Sequence, residues 1–167
     1  MSKRLIFVRH AHRDTTVRQL DNGLTDKGRE QAKSIKRYFV SRFGEGEVKD
    51  SLWLVSSPKI RCVETLLPLS RSTGRAVDIH PNLNEGEAGE GSRVMEARIQ
   101  SFLKEWKQSK VEITVACSHG DWLPIAFHQL LGLHLEPKKG SWLEIEWELD
   151  RPELVSYIPS FKHFYSS

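Results

Sequence analysis

The sequence predicts a three-layer α/β/α sandwich whose sheet is mostly parallel with an antiparallel edge. Two observations carry this. Short apolar runs at residues 5–8, 52–56, 76–79 and 113–117 alternate with segments of helical periodicity. Runs of that length suit strands buried on both faces of a parallel sheet. The last third changes character: residues 142–149 alternate Trp or Leu, Glu and Ile, as a half-exposed antiparallel strand does.

The elements follow in order. Leu5-Ile6-Phe7-Val8 forms the first strand. A helix begins at Thr25, a threonine suited to N-capping, followed by Asp26 in the first turn. Ala32, Ile35, Phe39 and Phe43 make its apolar face, and Gly44 and Gly46 stop it. The strand at 52–56 leads into Ser57 as N-cap and Pro58 at the first helical position. Pro68 is expected to kink or end that helix. After the strand at 76–79 comes a loop over residues 80–91, rich in Gly and Glu and long enough to suggest a functional role. Ser92 is expected to cap the next helix, with Met95, Ile99, Phe102, Leu103 and Trp106 on its buried side. A strand at 113–117 and a helix at 122–131 follow. The strand at 142–149 pairs with one at 154–158 through a turn at Asp150-Arg151-Pro152.

Bulk properties narrow the class. A chain of 167 residues is expected to be one domain over residues 1–167, large enough to fold without disulfide or metal staples. The net charge of +3 is spread along the chain, and the basic stripe of a nucleic-acid binder is missing. Cys62 and Cys117 are isolated and form no ligand-spaced pair, which fits a reduced, cytoplasmic compartment. The apolar run after Met1-Ser2-Lys3-Arg4 is too short for a secretory signal, and no stretch approaches the roughly 20 apolar residues that cross a bilayer. A monomer or weak dimer is the expected assembly.

Function enters through the strand ends. In an open α/β sheet, ligands bind outside the carboxyl ends of the strands. Those ends carry Arg9 and His10, then Arg61 one helical turn on, then Glu85 in the long loop, then His119. Two guanidinium forks match the oxygens of a phosphoryl group, and a protonated His119 would donate from another side. His10 offers a nitrogen lone pair near neutral pH and becomes the nucleophile. A single carboxyl can protonate the leaving group and then deprotonate water, which makes Glu85 the candidate acid, although Glu87 and Glu90 share its loop. No metal or other cofactor is required by this inventory.

The same residues resemble the histidine phosphatase superfamily, also called phosphoglycerate mutase-like. Its Arg-His-Gly opening is matched by Arg9-His10-Ala11, and its Leu-Thr-x-x-Gly-x-x-Gln-Ala phrase by residues 24–32. Ser56-Ser57-Pro58 with Arg61 and Thr65, then Leu83-Asn84-Glu85, then Ser118-His119-Gly120 complete the set over about residues 4–132. The resemblance implies His10 as nucleophile, Arg9, Arg61 and His119 around the phosphate, and Glu85 as proton donor. Ala11 replaces the usual glycine, His12 stands where an acid is common, and Thr16 where many members carry a phosphate-holding asparagine. The lack of long insertions is similar to the compact SixA-type phosphohistidine phosphatases. This implies a phosphorylated protein or a small phosphorylated metabolite as partner, with neither nucleic acid nor membrane.

Duller and rival readings stand beside these. His80, His128, His134 and His163 have no partner pattern, and the tryptophans are expected in or over the core, with Trp122 near the pocket rim as the alternative. His12 either faces the leaving group or is a loop histidine. His10-Ala11-His12 also matches a His-x-His metal pair, which would make the chain a metal-dependent hydrolase. A phosphate-binding module without turnover is the remaining alternative.

Overall fold

The computed structural model describes residues 2–161. Six strands form one sheet in the order β3-β2-β4-β1-β5-β6. The strands are β1 (Lys3–Arg9), β2 (Leu52–Ser56), β3 (Val77–Ile79), β4 (Ile113–Ser118), β5 (Trp142–Glu148) and β6 (Arg151–Ile158). β1, β2, β3 and β4 pair in parallel, while β5 and β6 run antiparallel. The helices are α1 (Asp26–Phe43), α2 (Ile60–Thr73), α3 (Ser92–Gln108) and α4 (Leu123–Leu131).

The continuous apolar runs are explained by two-sided burial. On β1, Leu5 and Phe7 join the core under α3 and α4, while Ile6 and Val8 join the core under α1 and α2. β4 repeats this, with Ala116 on the first side and Val115 and Cys117 on the second. The period of two in a strand sends neighbours to opposite faces, and both faces are covered. Trp122 and Trp106 are fully buried, so core packing is their role; Trp122 meets Phe7 and Phe102 edge-on. His163 lies outside the described residues. No helix among the described residues is long and apolar enough to cross a membrane.

Several local expectations are corrected. Helix α2 begins at Ile60, not at Pro58, and its cap position, Lys59, makes no side-chain cap bond. The donor Ile60 N–H is taken instead by Asp21, whose two carboxylate oxygens lie at 3.1 and 3.2 Å. A partner distant in sequence replaced the local cap. Pro68 does not end α2, which continues to Thr73. The α3 cap is Gly91, one residue before Ser92.

The final hairpin turns at Leu149 and Asp150, with φ of 50° and 59°. This is the left-handed pair that a two-residue hairpin requires, and it lets β6 start at Arg151. Pro152 is tolerated there because β6 is an edge strand. β5 is antiparallel as expected, but only its second half reaches solvent: Trp142 to Ile145 are buried, while Glu146 and Trp147 are half-buried and Glu148 is exposed. It lies between β1 and β6, and Glu144 is fully buried, bonded through Oε1 to Arg4 at 2.9 Å and Arg42 of α1 at 2.7 Å.

Candidate active site

The register of the central strands brings the functional residues together. Arg9 pairs with Ser118 across β1 and β4, and Ser56 with Cys117 across β2 and β4, so the three carboxyl ends are level. His10 N–H donates to the Ser118 carbonyl at 3.1 Å, and Ser57 N–H to the Cys117 carbonyl at 3.0 Å. Arg9, His10, Arg61, Glu85 and His119 therefore line one cavity of about 410 Å³. All five sequence-predicted site residues converge.

His10 is buried, with 5% of its surface exposed. Its Nδ1 lies 2.8 Å from the Ala11 carbonyl. A carbonyl only accepts, so Nδ1 carries the hydrogen and Nε2 keeps the lone pair. The Ala11 N–H donates to Thr65 Oγ1 at 2.9 Å, and that hydroxyl donates to the Arg61 carbonyl at 2.7 Å. Thr65 thus ties the His10 segment to α2.

The 24–32 phrase also works on this segment, without touching the cavity. Thr25 caps α1 by accepting from Gly28 N–H at 3.2 Å, and its hydroxyl meets His12 Nδ1 at 2.8 Å. Gln31 Oε1 accepts from His12 N–H at 2.8 Å. A Cβ on Gly28 would sit 2.0 Å from the His12 carbonyl oxygen, so only glycine lets α1 approach so closely. His12 is accordingly an anchor for α1 and does not line the cavity.

His119 faces His10, with ring centroids 5.5 Å apart. Arg61 Nη2 donates to its Nδ1 at 3.3 Å, which leaves Nε2 to donate to Ser57 Oγ at 2.7 Å. Arg61 is 3% exposed and also donates to Glu85 Oε2 at 2.6 Å. Arg9 is fixed by donation to the Pro137 carbonyl at 2.7 Å. It lies flat against Gly120, where a Cβ would come within 2.7 Å of the guanidinium carbon.

Glu85 stands apart from its neighbours in the loop. Its side chain is 36% exposed at the cavity mouth, and Lys59 Nζ lies 3.8 Å from Oε1. Glu90 is bound to Arg98 at 2.7 Å, away from the cavity. Arg98 of α3 also donates to the carbonyls of Asn82 at 3.2 Å, Asn84 at 3.1 Å and Glu85 at 3.4 Å. Asp121 Oδ2 accepts from Gly86 N–H at 2.8 Å. The loop carrying Glu85 is thus clasped from two sides.

Burial pushes the His10 imidazole down to about 3, despite the Ala11 bond, with help from Arg61, Arg9 and Lys139. Burial, then Arg61, takes His119 to about 2. Both are neutral here, so the protonated His119 expected from sequence is not the resting state of this pocket. Desolvation and neighbouring cations disfavour a further positive charge. The Cys117 thiol is pushed up by burial and by Cys62, and both cysteines are buried and free.

Sequence reasoning missed the rest of the wall. Arg13, Thr15 and Arg18 from the loop after β1, and Glu136 and Lys139 from the loop before β5, also line the cavity. Thr16 does not: it is exposed and bonded to Asp14, and Thr15 takes the lining place. No motif marks these loop residues, and only their location in space selects them. Among the described residues, no three His, Cys, Asp or Glu side chains are grouped to hold a metal ion. With His12 turned to Thr25, the His10/His12 metal pair is not supported.

The fold and the level strand ends define a hydrolase of the histidine phosphatase type. The chain belongs to the histidine phosphatase superfamily (branch 1), whose family model matches residues 5–92. Solved structures share its fold. A mycobacterial protein described as hydrolase 1 is 21% identical with a TM-score of 0.75, covering 96% of this chain and 100% of that one. The mycobacterial glucosyl-3-phosphoglycerate phosphatase in complex with VO3 is 21% identical with a TM-score of 0.74, over 95% and 100%. A mutant phosphoserine phosphatase from Entamoeba histolytica in complex with phosphoserine is 16% identical with a TM-score of 0.74, over 93% and 96%. No curated protein matches the chain. The chain is a phosphatase of this type.

Proposed function

We propose that the chain hydrolyses a small phosphomonoester through a covalent phosphate on His10. The observation that carries this is the fixed tautomer of His10, whose Nδ1 is committed to the Ala11 carbonyl beside the Arg61–Glu85 pair. The phosphoryl group enters between Arg9 and Arg61, whose forks neutralise its oxygens. Arg61 turns its Nη2 from Glu85 to the phosphoryl group, and the dianion raises the proton affinity of His119. His10 Nε2 then attacks phosphorus, the ester P–O bond breaks, and Glu85 gives its proton to the leaving oxygen. In the second half, Glu85 takes a proton from water, the oxygen attacks phosphorus, and the P–N bond breaks to return His10 and free phosphate. No step calls on a metal ion.

The names of two similar structures, glucosyl-3-phosphoglycerate phosphatase and phosphoserine phosphatase, support a small ester. A SixA-type reading, with a protein phosphohistidine as substrate, is favoured by one feature: Glu85 is open to solvent on the leaving-group side. The test is rapid quenching with an aryl phosphate in chelator, followed by mapping of an acid-labile phosphoryl group. We expect it on His10, and we expect His10→Ala to keep its fold and lose roughly four orders of magnitude in kcat/KM. Label on another residue, or near-normal turnover by the variant, overturns the mechanism. Faster turnover of a phosphohistidine protein than of any small ester favours the SixA reading.

A further inference from the structure

We infer that the substrate carries a second anionic group beside its phosphoryl ester, and that Arg13, Arg18 and Lys139 hold it; this rests on His10 being the phosphoryl acceptor. The three cations come from two distant loops, yet line the cavity that holds His10. The carboxylates of the same wall serve other groups. Glu85 is paired with Arg61, and Glu136 and Asp121 act on Arg9. Among the described residues, no carboxylate forms an ion pair with Arg13, Arg18 or Lys139, and the Arg13 guanidinium makes a long hydrogen bond of 3.5 Å to the Leu20 carbonyl.

The crowding is visible on Lys139 itself. Burial, and then the charges of Arg9, Arg13, Arg18 and Lys27, lower its proton affinity. Like charges gathered without a counter-ion are unfavourable, and an arriving anion relieves that repulsion. A phosphoryl dianion occupies Arg9 and Arg61, so it leaves the rim uncompensated. A carboxylate or second phosphate on the same molecule would complete the match. A cavity of about 410 Å³ suits a small molecule, and the three rim cations line it together with His10. The substrate class is therefore a small phosphorylated acid or a bisphosphate.

The test pairs esters that differ only in the second anion: phosphoserine against phosphoethanolamine, and 3-phosphoglycerate against glycerol 3-phosphate. We expect the acid of each pair to be preferred about tenfold or more in kcat/KM, the scale of one charge-assisted contact. In the double variant Arg18→Gln, Lys139→Gln that ratio should fall towards one, mainly through KM. Lys107→Gln, beside Lys3 at the amino end of β1 and away from the cavity, should keep the ratio and thereby exclude a net-charge effect. Binding of each pair to the His10→Ala variant, measured by calorimetry, separates the two claims. Preferential binding of the acids without wild-type turnover sinks the catalytic reading and keeps the rim site. Turnover without preference, or binding of neither acid, overturns the rim site. Preference for a phosphohistidine peptide with an acidic flank over every small acid overturns the small-molecule class.

Discussion

The two sides of the cavity are built by different means. On the buried side, His10, His119 and Arg61 are held by strand register and by bonds to main-chain groups or to one another. On the open side, Glu85 sits on a loop whose carbonyls converge on one arginine, Arg98. The buried side is thus fixed by the sheet itself, and a slipped register would also displace the core. The open side depends on a few side chains, so its chemistry can be altered without touching the core. Positioning by a rigid scaffold and adjustment by loops is the division of labour expected of such sites.

Substitutions on the open side should expose this difference. Glu85→Gln should cost roughly 100- to 1,000-fold on alkyl phosphates and far less on aryl phosphates, whose leaving groups need no proton. Equal losses across a leaving-group series would move the acid elsewhere. Arg98→Met removes the clasp without touching the cavity, and we expect about a tenfold loss with the same dependence on leaving group. Arg98→Lys should restore only part, because an ammonium cannot fork across several carbonyls and the Glu90 carboxylate at once. A uniform loss on all esters would make Arg98 merely structural.

The buried side should show itself in acid. Both imidazoles are neutral in the folded and unfolded chain above about pH 6.5, the ordinary histidine value. Between there and about 3 for His10, or about 2 for His119, the unfolded chain takes up protons that the folded chain refuses. Stability therefore falls as pH falls through that window, by up to roughly 1.4 kcal/mol per histidine per pH unit. Melting curves at pH 7 and 5 should show a smaller drop for His10→Gln than for the wild type. An equal drop would mean that His10 titrates normally in the fold.

Much of this was legible in the chain because the signals are local. A run such as Leu5-Ile6-Phe7-Val8 is apolar at every position since both faces of β1 are covered. The strand-end placement of Arg9, His10, Arg61 and His119 follows from chain direction in a parallel sheet. The turn at Leu149 and Asp150 was legible only to within a residue, because Leu149, unlike Asp150, is not a usual choice at positive φ. The cap of α2 was not legible, since Asp21 reaches it from a loop far back in the chain.

Sequence alone determined the strand–helix alternation, the family and the five residues at the strand ends, because those depend on periodicity and short motifs. Tertiary structure alone decided the rest: that His12 anchors α1, that Glu90 serves Arg98, and that Arg13, Arg18 and Lys139 meet on one wall. The reason is physical. A loop side chain acquires its role from what lies opposite it in space, and that neighbour is set by packing between segments that share no local signal.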